Sequence, residues 1–300
     1  MELLKVSVAT DHTPNQSLRL CCGSSLRGQR RPWGSVGEGS DCQRLLWGCL
    51  RPRTILAWLQ GPAEPAALFQ WAGGITSVVQ EDIILLRELH VNHYRFSLSW
   101  PRLLPTGIRA LTGSAAEQVN KKGIEFYSDL IDALLSSNIT PIVTLHHWDL
   151  PQLLQVKYGG WQNVSMANYF RDYANLCFEA FGDRVKHWIT FSDPRAMAEK
   201  GYETGHHAPG LKLRGTGLYK AAHHIIKAHA EAWHSYNTTW RSKQQGLVGI
   251  SLNCDWGEPV DISNPKDLEA AERYLQFCLG WFANPIYAGD YPQVMKDYIG

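Results

Sequence analysis

The 300-residue sequence predicts an α/β fold built of parallel strand–helix units. Three observations carry that prediction. Hydrophobic and β-branched runs at 94–100, 144–151 and 188–194 each stop sharply at polar residues, as buried strands do. Segments between them repeat apolar residues at the helical period, clearest in Phe170, Tyr173, Ala174, Cys177 and Phe181. Strand-like and helix-like stretches then alternate at the spacing of βα units.

Residues 1–78 differ in texture. They hold one lysine, Lys5, against seven arginines, are punctuated by Gly, Ser and Pro, and sustain no period of 2 or 3.6. They read as an unrelated, largely disordered leader with no alternating strand. A small interaction module using Trp33, Trp47, Trp58 and Trp71 is the alternative. From Glu81 a helix runs to Leu89, with Ile84, Leu85 and Leu89 as its apolar set. A strand over 91–100 puts Tyr94, Phe96, Leu98 and Trp100 on one face. His93, Arg95, Ser97 and Ser99 fall on the other. A loop over 101–122 leads to a helix marked by Ile124, Tyr127, Leu130, Ile131, Leu134 and Leu135. The next strand spans 141–150, and the helix after it ends at Gly182, placed at C′. A strand over 185–194 precedes a long helix carrying Leu218, Ala222, Ile225, Ile226, His229 and Trp233. The last strand spans 246–253. Asn264 then caps a helix with Pro265 at its first position, running to about Ala283.

Two strand ends carry distinctive strings: Thr144-Leu145-His146-His147-Trp148-Asp149-Leu150-Pro151 and Trp188-Ile189-Thr190-Phe191-Ser192-Asp193-Pro194. With Tyr94-Arg95-Phe96-Ser97-Leu98-Ser99-Trp100, they resemble family 1 glycoside hydrolases, the retaining β-glycosidases, on their lactase-like and klotho-like branch. The resemblance covers 79–300. It implies a partial (β/α)8 TIM barrel, strands two to five, after the leader, with 111–116 as an insertion. A closed barrel needs eight strands and roughly 250 residues. The strands at 91 and 246 are therefore expected to be open edges.

Retaining glycosidases use two carboxylates about 5–5.5 Å apart. The resemblance puts Asp193 at the acid/base position and Ser192 beside it, where the family has Glu and Asn. Asp is one methylene shorter, and a displacement on the order of 1 Å costs about a hundredfold in rate. A second reading has Asp193 only capping a turn before Pro194. The family nucleophile lies in a Thr-Glu-Asn-Gly motif, which does not occur here, and Glu203 follows Asp193 too soon to serve. No glycosyl-enzyme forms without a nucleophile. The expectation is a catalytically inactive β-glycosidase-like domain. The alternative is an active retaining β-glucosidase or β-galactosidase using Asp193 in a longer form. Arg95 resembles the arginine that holds the nucleophile's charge. His147 and Trp148 resemble residues that bind sugar hydroxyls, for which imidazole and indole N–H are suited.

A net charge of +1 implies no nucleic-acid partner. Twelve tryptophans suit sugar faces and also suit a core. Seven cysteines include no CxxC pair, and an odd count argues against a complete disulfide framework. Cys21, Cys22, Cys42 and Cys49 lie in the leader, while Cys177, Cys254 and Cys278 sit in apolar patterns as small hydrophobes. The pairs His146-His147, His206-His207 and His223-His224 lack ligand spacing, so no metal and no cofactor is expected. No run approaches a transmembrane segment, and the N-terminus has no signal-peptide core. The resemblance implies a β-glycoside or glycan ligand, or a receptor or growth-factor partner as in klotho-like proteins. It also implies the endoplasmic reticulum or secretory pathway, as the sequons at Asn15, Asn138, Asn163 and Asn237 weakly suggest. The missing signal core points instead to the cytoplasm.

Overall fold

A computed structural model of the chain describes residues 45–47, 75–109 and 119–300. The rest of the leader, with Trp33, Trp58, Trp71, its four cysteines and Asn15, lies outside the described residues, as does the 111–116 piece. Five strands form one sheet in sequence order: β1 (Leu45–Trp47), β2 (His93–Ser97), β3 (Thr140–His146), β4 (His187–Ser192) and β5 (Leu247–Ser251). The pairs β1–β2, β2–β3 and β3–β4 are parallel. A helix-bearing connection separates successive strands from β2 onward, which is the winding of a βα barrel segment.

β1 corrects the sequence reading. Three residues are too few to show a period, yet they pair with β2 from Leu45↔His93 to Trp47↔Arg95. The β2 strand is therefore covered on the side where an open edge was expected. Among the described residues β5 has one neighbouring strand, β4.

The described residues fall into two compact units. The sheet unit holds those of 38–192 and 231–250; the helical unit holds 193–230 and 251–300. In the sheet unit, α1 (Ile75–Glu88) turns Ile83 and Leu86 inward. Ile84, Leu85 and Leu89, the expected apolar set, are about half exposed. Ile83-Ile84-Leu85-Leu86 is apolar throughout, so its sequence cannot select a face. β2 alternates as expected, with Tyr94 and Phe96 buried. The strand stops at Ser97, and Trp100 instead opens α2 (Trp100–Leu103), because Pro101 suits a first helical turn and cannot donate to a ladder. Helix α3 (Lys121–Ser136) starts where the Asn120 side chain accepts from Gly123 N–H at 3.3 Å, and buries Tyr127, Leu130, Ile131 and Leu134. α4 (Gln152–Tyr158) and α5 (Met166–Phe181) follow. The whole predicted stripe of α5 is buried.

Gly182 is not a left-handed C′ residue. It is the C-cap at φ −73, and its value is space: a Cβ there would meet the Gln244 amide. That amide donates to Phe178 O at 2.8 Å. The core is largely aromatic. Trp100 stacks on Tyr173 at 4.8 Å, and Phe170 on Phe191 at 4.3 Å. Tyr173 donates its hydroxyl to Leu145 O at 2.9 Å, so this buried phenol is satisfied.

The helical unit contains α6 (Pro194–Tyr202) and most of α7 (Gly217–Ser235). A π turn, Tyr236–Trp240, and α8 (Arg241–Gln244) complete α7 inside the sheet unit. The helical unit continues with α9 (Pro265–Leu275), a π turn (Gln276–Gly280), α10 (Trp281–Tyr287) and α11 (Gln293–Ile299). Asn264 caps α9 by accepting from Lys266 N–H at 3.1 Å, with Pro265 in its first turn, as the sequence predicts. No helix among the described residues is long and apolar enough to cross a membrane.

Candidate functional site

The polar face of β2 presents Arg95, which is half-buried. Its Nε donates to Thr144 Oγ1 at 3.0 Å. Thr144 lies on β3 and is 1% exposed, so the guanidinium is held against a rigid strand. Sequence reading missed Thr144 as a positioning group. A signal was there: Thr144 and His146 are two polar residues at period 2 in an apolar strand.

The end of β3 is the most constrained part of the site. His146 is fully buried among aromatic rings, with Trp161 and Phe191 both at 5.6 Å and Trp100 at 6.0 Å. Among the described residues neither ring nitrogen has a hydrogen-bond partner. Burial pushes its pKa down to about 3, and His147 adds to the shift. Its Nδ1 lies 3.8 Å from Asp149 Oδ1. Burial pushes that carboxyl up to about 7. His147 points away from this core and is half-exposed, as neighbours on an extended chain should. Trp148 follows at φ +75, a conformation that bulky residues rarely adopt. Its indole Nε1 donates to Ser192 O at 3.1 Å. His147 and Trp148 meet edge to face at 5.5 Å.

At the end of β4, Ser192 is 5% exposed and its carbonyl is the one that takes the Trp148 donor. Asp193 follows at φ +52 and opens α6. Its N–H donates to Ser251 O at 3.1 Å, and its own carbonyl accepts from Met197 N–H at 3.1 Å. The side chain makes no capping hydrogen bond, so the turn-cap reading is not what its carboxylate does here. Glu203, the next acid but one, receives Gly215 N–H at 3.1 Å on both oxygens. The structure thus ties Trp148 to Ser192 and to His147, and ties Arg95 to Thr144. The backbone hydrogen bonds of Asp193, to Ser251 and Met197, run within the helical unit. Among the described residues, no group of three or more His, Cys, Asp or Glu side chains could hold a metal ion.

The profile of Glycosyl hydrolase family 1 matches residues 75–300. The chain is 97% identical over 222 residues to Lactase-like protein of Homo sapiens, covering 74% of this chain and 38% of that one. It is 46% identical over 219 residues to Beta-klotho of Mus musculus, covering 73% and 20%. Among solved structures it resembles a rice Os3BGlu6 beta-glucosidase, with TM-score 0.69 and 44% identity over 74% of this chain and 47% of that one. The chain thus spans less than half the length of each of these relatives.

Proposed function

The chain belongs to glycosyl hydrolase family 1, and from that premise we propose that residues 75–300 carry the sugar-gripping part of a β-glycoside site without the two carboxylates that hydrolysis needs. One observation carries the reading: Trp148 and Asp193, both in the left-handed region, stand just past the ends of the neighbouring strands β3 and β4. Strained backbone persists where surrounding structure imposes it, and strand ends of βα barrels are where chemistry is placed. His147 supplies an imidazole that can donate to and accept from hydroxyls. Trp148 supplies a ring, its N–H being committed to Ser192. Arg95 supplies a fixed positive charge.

Asp193 offers a carboxylate shorter than the family's glutamate. Residues 75–300 contain no Thr-Glu-Asn-Gly, and Glu203 is engaged by Gly215. Incubated with aryl β-glucosides and β-galactosides, this chain should show no turnover above buffer. Turnover that disappears in Asp193→Ala would overturn the reading. Titration with a monosaccharide should show millimolar binding that weakens in Trp148→Ala; micromolar binding indifferent to that change would also overturn it. The likeness to Beta-klotho supports a receptor or growth-factor partner as a further reading. A second reading, active hydrolysis with Asp193 as acid/base and its partner carboxylate in a longer form, is favoured by the absence of a capping bond on Asp193. It requires a longer form whose activity falls in Asp193→Asn.

A further inference from the structure

We propose that Cys254 and Cys278 form a disulfide when the chain meets a small-molecule disulfide oxidant. Both belong to the helical unit. Cys254 lies three residues past β5, and Cys278 sits in the π turn between α9 and α10. The backbone N–H of Asp255 donates to Cys278 Sγ at 3.4 Å. Cys254 immediately precedes Asp255, so standard backbone geometry puts its Cα within about 6 Å of that sulfur. Disulfides join Cα atoms about 4.4–6.8 Å apart, so with the Cys278 sulfur already this near the Cys254 Cα, closure is left to rotation of the Cys254 side chain and a small shift of the backbone around it.

The surroundings fix Cys278 as the inner partner. Arg195 Nη1 approaches Sγ at 2.9 Å, and the same sulfur lies 3.7 Å from Asp255 Oδ2. That carboxylate oxygen also meets Arg195 Nη1 and the Tyr274 hydroxyl, each at 3.4 Å. Cys278 is 2% exposed, whereas Cys254 is partly accessible, so an oxidant reaches Cys254 first. The Cys254 thiolate attacks one sulfur of oxidised glutathione, and glutathione thiolate leaves. The Cys278 thiolate then attacks the Cys254 sulfur of the mixed disulfide, expelling the second glutathione. Two cysteine thiols lose two protons and two electrons in all, and the oxidant's S–S bond is reduced to two thiols. The bond closes a loop around α9, a helix that buries none of its residues, and a cross-link there limits the unfolded state.

The full chain is equilibrated in native buffer with glutathione disulfide, alkylated and digested with trypsin without reduction. The expected product is peptide 244–266 joined to peptide 274–296 with the loss of two hydrogens, and a melting temperature raised by several degrees. Cys278→Ser should stop at a glutathione adduct on Cys254. The same mixture in concentrated urea should pair the seven cysteines without preference. A native sample that carries the adduct on Cys254 while Cys278 remains alkylated would overturn the proposal. So would a native pairing pattern equal to that in urea.

Discussion

Helix α5 of the sheet unit buries nine of its sixteen residues, whereas α9 of the helical unit buries none of its eleven. The contrast extends around both. The sheet unit closes on Trp100, Trp161, Trp188, Tyr173, Phe170 and Phe191, all at 2% exposure or less. The helical unit leaves Trp256, Val260, Ile262 and Tyr298 more than two-thirds exposed. Arg95, His147, Trp148 and Ser192 stand on the sheet unit, and Asp193 opens α6, which buries five of its nine residues. Positioning groups need a scaffold that holds them to a fraction of an ångström. The grip of the proposed site therefore has that support from its own unit.

Truncation tests the contrast most strongly. Phe170 is fully buried against Trp100, Trp161 and Phe191. Phe170→Ala should cost about 3–5 kcal/mol through lost transfer and a residual cavity. Leu268→Ala on α9, where the side chain is 47% exposed, should change stability by less than about 0.5 kcal/mol. Urea titration of both variants reads the difference. Equal losses would break the distinction between the units.

The His146–Asp149 pair at the end of β3 sharpens it with pH. His146 is held near 3, below its ordinary 6.5. As pH falls through that window the unfolded chain takes up a proton that the folded chain refuses, so stability drops. Asp149 is raised from 3.8 to about 7. Over that window the folded chain holds the extra proton, so stability drops as pH rises. The two slopes oppose each other between about pH 4 and 6.5. Asp149→Asn leaves His146 uncompensated. Relative to wild type, that variant should lose stability on acidification by up to about 1.4 kcal/mol per pH unit, or about 2 kcal/mol by pH 5. Urea midpoints at pH 7, 6 and 5 give the slopes, and parallel slopes would remove the pair from the account.

What the sequence could show follows the same division. Where apolar residues outnumber alternatives on one face only, as in β2 and α5, the buried set was legible. The Asn264-Pro265 cap was legible because capping is local chemistry. The α1 face was not, since four consecutive apolar residues leave the choice to tertiary contacts. β1 was not, being too short for a period. The strings around His147-Trp148 and Ser192-Asp193 lie at the ends of β3 and β4, as their sharp polar stops predict. The left-handed backbone of Trp148 had no local signal: Asp tolerates that region and Trp does not. The same residue's indole donates to Ser192, 44 positions away, a tertiary contact that no local pattern announces.

The smallest expected change in stability bears on the last strand. Inside the sheet, β3 and β4 bury most of their residues. β5 buries none: Leu247 is 60% exposed and the four residues after it are only half covered. Its ties include bonds from Leu247 N–H to Lys186 O at 2.8 Å and from Thr190 Oγ1 to Gly249 O at 3.2 Å. A strand with an exposed apolar residue and, among the described residues, a neighbouring strand on one side only is a template for another chain. Lysine on such an edge opposes pairing while leaving the existing ladder intact, because its stem lies along the strand and its charge stays in water. Leu247→Lys should therefore alter folding stability by less than about 0.5 kcal/mol while markedly reducing self-association in sedimentation velocity. Were the unsubstituted chain monomeric at the same concentration, with a single cooperative melt, the β5 edge would not be adhesive and the exposure of Leu247 would have no cost in solution.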